Sequence, residues 1–118
     1  MQSRIRTVDS VELLELGGKI TIGEGEAELR QIVGDLLAGG RRKIVVSLER
    51  VGFMDSAGLG ELVACYKRAT EGGGAVKLLK PSGKGADLLS LTRITEIFEI
   101  YHDEGEAIAS FQRSDHDP

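Results

Sequence analysis

The sequence predicts an α/β domain with a four- to five-stranded mixed sheet and interleaved and flanking helices. Three observations carry that prediction. Short β-branched runs alternate with segments whose apolar residues recur at helical spacing, glycines punctuate the boundaries, and the first two runs lie too close together for anything but a hairpin.

Ile5–Val8 and Val11–Leu16 read as β-strands joined by the tight turn Asp9-Ser10. Gly17-Gly18 and Gly23-Glu24-Gly25 read as loop. Leu29, Ile32, Val33, Leu36 and Leu37 then share one helical face, and Gly39-Gly40 ends that helix. Ile44-Val45-Val46-Ser47-Leu48 is apolar without alternation, the pattern of a central strand covered on both faces. Val51–Met54 reads as a connection. A second helix follows, on Leu59, Leu62, Val63, Tyr66 and Ala69, closed by Gly72-Gly73-Gly74. Ala75–Leu79 is a strand, Pro81-Ser82-Gly83 a turn, Lys84 to about Leu91 a third helix and Ile97–Tyr101 a last strand. Glu104–Gln112 forms a C-terminal helix on Ala107, Ile108 and Phe111. Residues 1–112 are therefore expected to make a single domain and 113–118 a frayed polar tail.

At 118 residues and 41% hydrophobic content, the chain suits one core and one site. The longest uncharged stretch, Ala107–Gln112, is far short of the ~20 residues a membrane-spanning helix requires. The N-terminal residues lack the apolar core of a secretory signal, so a cytoplasmic location is expected. A net charge of -4 disfavours a nucleic-acid binder, and the basic run Arg41-Arg42-Lys43 reads as a solvated turn. Cys65, the single cysteine, reads as a small buried hydrophobe. His102 and His116 lie in charged surroundings, no cluster has metal-ligand spacing, and neither a metal nor another cofactor is expected.

The informative segment is Phe53-Met54-Asp55-Ser56-Ala57-Gly58-Leu59-Gly60, which puts a hydroxyl where a strand's loop enters a helix. Exposed N–H groups and the positive helix end favour an anion there; the plainer reading makes Asp55 or Ser56 an N-cap. A nucleophile elbow requires glycine where Met54 stands. A dinucleotide loop requires glycine at Val63, and a P-loop requires it at Leu78. No catalytic residue is assigned.

The stretch Ile44–Gly60, an apolar strand leading into Asp55-Ser56-Ala57-Gly58, resembles the signature of STAS domains, the family of anti-sigma factor antagonists. The likeness extends to Leu16-Gly17-Gly18-Lys19-Ile20, to Gly73–Leu78, to Leu88–Thr92 and to Ile97-Phe98, and so covers about Ile5 to Phe111. It implies the STAS-type fold and partner switching. The unphosphorylated form would bind an anti-sigma factor with serine-kinase activity and release a sigma factor. Phosphorylation of Ser56 would block binding, and a phosphoserine phosphatase would reset the switch. The added charge would fall beside Asp55 and near Glu61. The resemblance implies a contact surface of Asp55, Ala57, Gly58, Leu59, Thr21, Gly23 and Glu24 and a monomer or weak dimer. This sequence has Ser47 where the family usually carries an acid or amide, and Thr21 where it often carries Asp, which is expected to remove carboxylates from around Ser56. A STAS scaffold without a switch, stressosome-like or transporter-associated, and a nucleotide-binding domain are the alternatives.

Overall fold

The computed structural model describes residues 1–81 and 96–115, with side chains to residue 112. The turn and third helix expected across 82–95 lie outside the described residues, as does His116. Strands β1 (Gln2–Val8) and β2 (Val11–Ile20) form the expected hairpin. Its two-residue turn holds Asp9 and Ser10 at φ 51° and 68°, the left-handed pair that matches the twist of a hairpin. Helix α1 (Glu26–Ala38) leads to β3 (Lys43–Met54), α2 (Ser56–Glu71) to β4 (Ala75–Leu79), and β5 (Ile100–Tyr101) to α3 (Glu104–Asp115). The sheet runs β1-β2-β3-β4-β5, antiparallel at the hairpin and parallel elsewhere, a five-stranded mixed sheet.

Helices α1 and α2 cover one face, where Leu14, Ile20, Leu29, Ile44, Leu62 and Leu78 are wholly buried. Each such side chain contributes about 1.5–3 kcal/mol relative to exposure. Helix α3 covers the other face through Ala107, Ile108 and Phe111, packed on Val11, Leu13, Val45 and Leu79. Glycines close α1 and α2 as expected: Arg41 N–H reaches Leu36 O across Gly40 at φ 84°, and Gly74 N–H reaches Ala69 O across Gly73 at φ 82°. No helix among the described residues is long and apolar enough to cross a membrane.

Four expected boundaries move. Gly17-Gly18 is strand, because the register shifts between Glu15 and Gly17 and Gly18 takes φ 83°, a bulge that bends β2 without ending its pairing. Val51–Met54 is likewise strand: the irregular register keeps β3 paired with β2 as far as Ile20–Met54, with Val51 and Met54 buried. The last strand shrinks to Ile100–Tyr101, because Phe98 turns into the core and meets Tyr66 edge-on, with centroids 5.3 Å apart. Finally, α3 continues to Asp115, past its expected end at Gln112.

Candidate docking and modification site at the start of α2

Parallel β2 and β3 end side by side at Ile20 and Met54, and the chain enters α2 through Asp55. Asp55 has extended backbone (φ −94°, ψ −178°) and is the N-cap. Its Oδ1 accepts from Gly58 N–H at 2.9 Å and its Oδ2 from Ile22 N–H at 3.1 Å. One carboxylate thus caps α2 and fastens the β2–α1 loop to it. Those two donors, Gly58 first and then Ile22, hold the Asp55 carboxyl below its ordinary range, so it stays charged beside Ser56.

Gly58 makes this corner possible. A Cβ there would stand 2.0 Å from Ile20 O, so only glycine lets the first turn of α2 press on the end of β2. The loop is also preorganised from within. Thr21 N–H donates to Glu24 O at 2.7 Å, Glu24 N–H to Thr21 O at 3.1 Å, and Gly23 and Gly25 take φ 80° and 88°. At Gly25 a Cβ would meet Lys19 O at 2.7 Å.

Ser56 is the first residue of α2, exposed, and its hydroxyl makes no hydrogen bond among the described residues. Ser56, Asp55, Thr21, Gly23 and Glu24 are brought to one corner by the Asp55–Ile22 bond. Ala57 is half-buried. Gly58 and Leu59, expected at the contact surface, are buried: Gly58 is pressed on Ile20 and Leu59 belongs to the core, so both shape the surface from beneath.

Two further expectations change. Ser47 lies in β3 opposite Glu15 and Leu79, only 7% exposed and seven residues before the strand ends at Met54. At about 3.3 Å per residue that is roughly 20 Å of strand, so Ser47 is no neighbour of Ser56. Glu61, 6% exposed, is no part of the surface charge either. Arg30 Nε donates to its Oε1 at 2.9 Å and an Arg68 guanidinium nitrogen to its Oε2 at 2.8 Å, tying α1 to α2. Burial pushes this carboxyl up, but Arg68 and then Arg30 outweigh it and hold it below the carboxylate range. Cys65, beside them, is buried, and burial pushes its thiol up to about 12.

The sequence reading missed Ile22, which is 75% exposed, and Phe53, exposed on the last turn of strand before Asp55. The signal available for Ile22 was a lone apolar residue in the glycine-flanked loop Thr21–Gly25. A backbone-fastened loop bearing an exposed isoleucine beside an exposed serine suits protein docking. Among the described residues no group of His, Cys, Asp and Glu could hold a metal ion.

A sequence profile of the STAS domain matches residues 2–107. This chain belongs to the STAS domain family. A relative from Thermotoga maritima, provisionally named an anti-sigma factor antagonist, is 30% identical over 92% of this chain and 96% of its own length. The anti-sigma-B factor antagonist of Staphylococcus aureus is 27% identical, covering 80% of this chain and 86% of its own. Among solved structures, the phosphorylated form of the Bacillus cell fate determinant SpoIIAA superposes with a TM-score of 0.73 at 20% identity, covering 93% and 99% of the two chains, a likeness of fold.

Proposed function

We propose that this STAS domain is an anti-sigma factor antagonist whose docking is controlled by phosphorylation of Ser56. The carrying observation is the state of the corner at the start of α2: the Asp55 carboxylate is committed to backbone donors, while the Ser56 hydroxyl is exposed and makes no hydrogen bond among the described residues. The names of the relatives support the same reading. In it, residues 1–112 act as one unit in the cytoplasm, Ser56 lies at the centre of the contact, and Ile22, Gly23, Glu24 and Thr21 form the adjoining rim. The partner is an anti-sigma factor with serine-kinase activity, and a phosphoserine phosphatase resets the switch. The protein itself catalyses nothing.

A phosphate adds about -1.5 to -2 charges beside a carboxylate that stays ionised, in a surface that docking must desolvate. A loss of about 1.4 kcal/mol weakens binding tenfold. Because the helix N-terminus tolerates an anion, the fold is expected to be unchanged. Ser56→Asp therefore weakens anti-sigma binding at least about tenfold without lowering the melting temperature, whereas Ser56→Ala binds but accepts no phosphate. Intact-mass and peptide mass spectrometry after incubation with ATP and serine-kinase anti-sigma factors tests the site. A single phosphate on Ser56, lost in Ser56→Ala, is expected. No modification by a kinase active on another antagonist would instead favour a non-switching STAS scaffold, with Ser56 only the first residue of a capped helix.

A further inference from the structure

Strand β1 stands at one end of the sheet order and pairs only with β2 among the described residues. Its two-residue turn fixes which backbone groups that pairing uses. Val8 and Val11 close the turn as a hydrogen-bonded pair, and such pairs alternate along an antiparallel ladder, so Val8, Arg6, Arg4 and Gln2 aim their N–H and C=O groups at β2. Those of Ser3, Ile5 and Thr7 point outward along the open edge. An edge of seven residues with such groups unfilled is a template for one more strand.

The two faces beside this edge differ in chemistry. On the α1 side, Ile5 is 46% exposed and lines a groove of about 290 Å³ with the half-buried Ile32 and Leu36. Asp35 and Arg41, of opposite sign, also border it. On the α3 side stand Arg4 and Arg6, which alternate with Ile5 along the strand. Arg6 is well matched, donating to Glu15 Oε1 at 2.6 Å and to Glu104 Oε1 at 2.7 Å. The Arg4 side chain is 70% exposed and lies 3.5 Å from the same Glu15 oxygen that Arg6 already holds. Arg50 lines a hollow with Arg4 and Glu15, so three guanidiniums gather about two carboxylates.

An added strand meets both faces in register. The residue opposite Ile5 shares its face and sends its side chain toward the α1 groove, while that residue's two neighbours oppose Arg4 and Arg6 on the α3 side. The groove favours an apolar side chain and the arginines favour carboxylates. We propose that the β1 edge binds an extended segment of a partner protein, an apolar residue flanked on each side by an acidic one, added to the sheet as a sixth strand. A second copy of this chain is a poorer occupant. The two-fold register that pairs all of β1 with itself centres on Ile5 and sets Arg4 against Arg6, like charges directly opposite. The surface takes no residue from the Ser56 corner and does not depend on the proposed switch.

NMR titration of the whole chain with the capped peptide Glu-Thr-Glu-Ile-Glu-Thr-Glu tests this, with hydrogen exchange read at each amide of β1. Binding at about 1 mM or tighter is expected, with shifts at Ile32 and Leu36. Exchange is expected to slow at Ser3, Ile5 and Thr7 and to change little at Arg4 and Arg6, whose N–H groups β2 already holds. The lysine analogue Lys-Thr-Lys-Ile-Lys-Thr-Lys and the reordered Glu-Glu-Thr-Ile-Thr-Glu-Glu are each expected to bind at least about tenfold more weakly. The chain's net charge of -4 by itself favours the lysine analogue, so that comparison isolates the local charges. Arg4→Glu, at an exposed side chain, is expected to weaken the glutamate peptide about tenfold and to strengthen the lysine analogue. Absence of binding, equal binding of either control peptide, unaltered exchange at Ile5, or affinity unchanged in Arg4→Glu would each overturn the proposal. Exchange at these amides that slows with protein concentration alone would overturn it too, by giving the edge to a second copy.

Discussion

The two ends of α2 are seated by the same device and differ in chemistry. At each end a glycine allows backbone to meet backbone: Gly58 against Ile20 O, where a Cβ would fall at 2.0 Å, and Gly74 against Arg42 O, where it would fall at 2.4 Å. At the first end a carboxylate is matched by two N–H donors, and the exposed Ser56 hydroxyl makes no hydrogen bond among the described residues. At the second, Arg42 donates to Gly72 O and the enclosed cation Lys77 is left thinly matched. The contrast teaches that a helix wedged tightly at both ends can carry a matched carboxylate and an exposed hydroxyl at one end and a buried ammonium near the other.

The sharpest way to break that comparison is to add a methyl group at each glycine. Gly58→Ala is expected to lose about 3 kcal/mol or more, because neither backbone can yield. Gly74→Ala, with more room and a chain turn to relax, is expected to lose less. Thermal unfolding followed by circular dichroism ranks the two, and the reverse order would mean that the C-terminal end carries the strain.

The next effect contrasts the buried charges. Glu61 is matched by two guanidiniums, so Glu61→Ala is expected to cost about 2 kcal/mol in urea unfolding, less than a wholly buried pair because Arg30 and Arg68 keep access to water. Its folded pKa is depressed, so its contribution is present above the unfolded carboxylate value of about 4.3 and is lost as pH falls through the lower folded value. The variant should therefore lose less stability than the parent as the solution is acidified below about pH 5.

A third test concerns the corner at the start of α2 alone. Ile22→Asp is expected to weaken anti-sigma binding about tenfold, or 1.4 kcal/mol, in a pull-down or calorimetric titration. Its melting point is expected to stay put, since the side chain is exposed. Binding unchanged by Ile22→Asp would move the contact away from the β2–α1 loop. The smallest effect is at Lys77: Lys77→Met is expected to leave stability unchanged or raise it by up to about 1 kcal/mol, since a thinly matched buried charge contributes little to folding. A large loss would make Lys77 a structural residue like Glu61.

Local chemistry made much of this legible in the sequence. The period of Leu29, Val33, Leu62 and Ala69, the glycines after α1 and α2, and the unbroken apolar run Ile44–Val46 are properties of neighbouring residues, and the helices and the central strand follow from them. Asp55-Ser56-Ala57-Gly58 marked the candidate site because its cap, hydroxyl and glycine fall within one helical turn. What escaped depends on residues distant along the chain. Gly17-Gly18 looks like a loop until β3 pairs across it, and Leu59 looks like a contact residue until α2 turns it onto the sheet. Glu61 looks solvated until Arg30 arrives from α1. The hydrogen bond from Ile22 to Asp55 spans 33 residues. The sequence by itself determined the described elements, their order and the family, because backbone propensity and side-chain period act over a few residues. Only the tertiary structure decided which charges are matched, which glycines are wedged and which apolar residue faces outward, because burial and pairing exist only once distant segments meet.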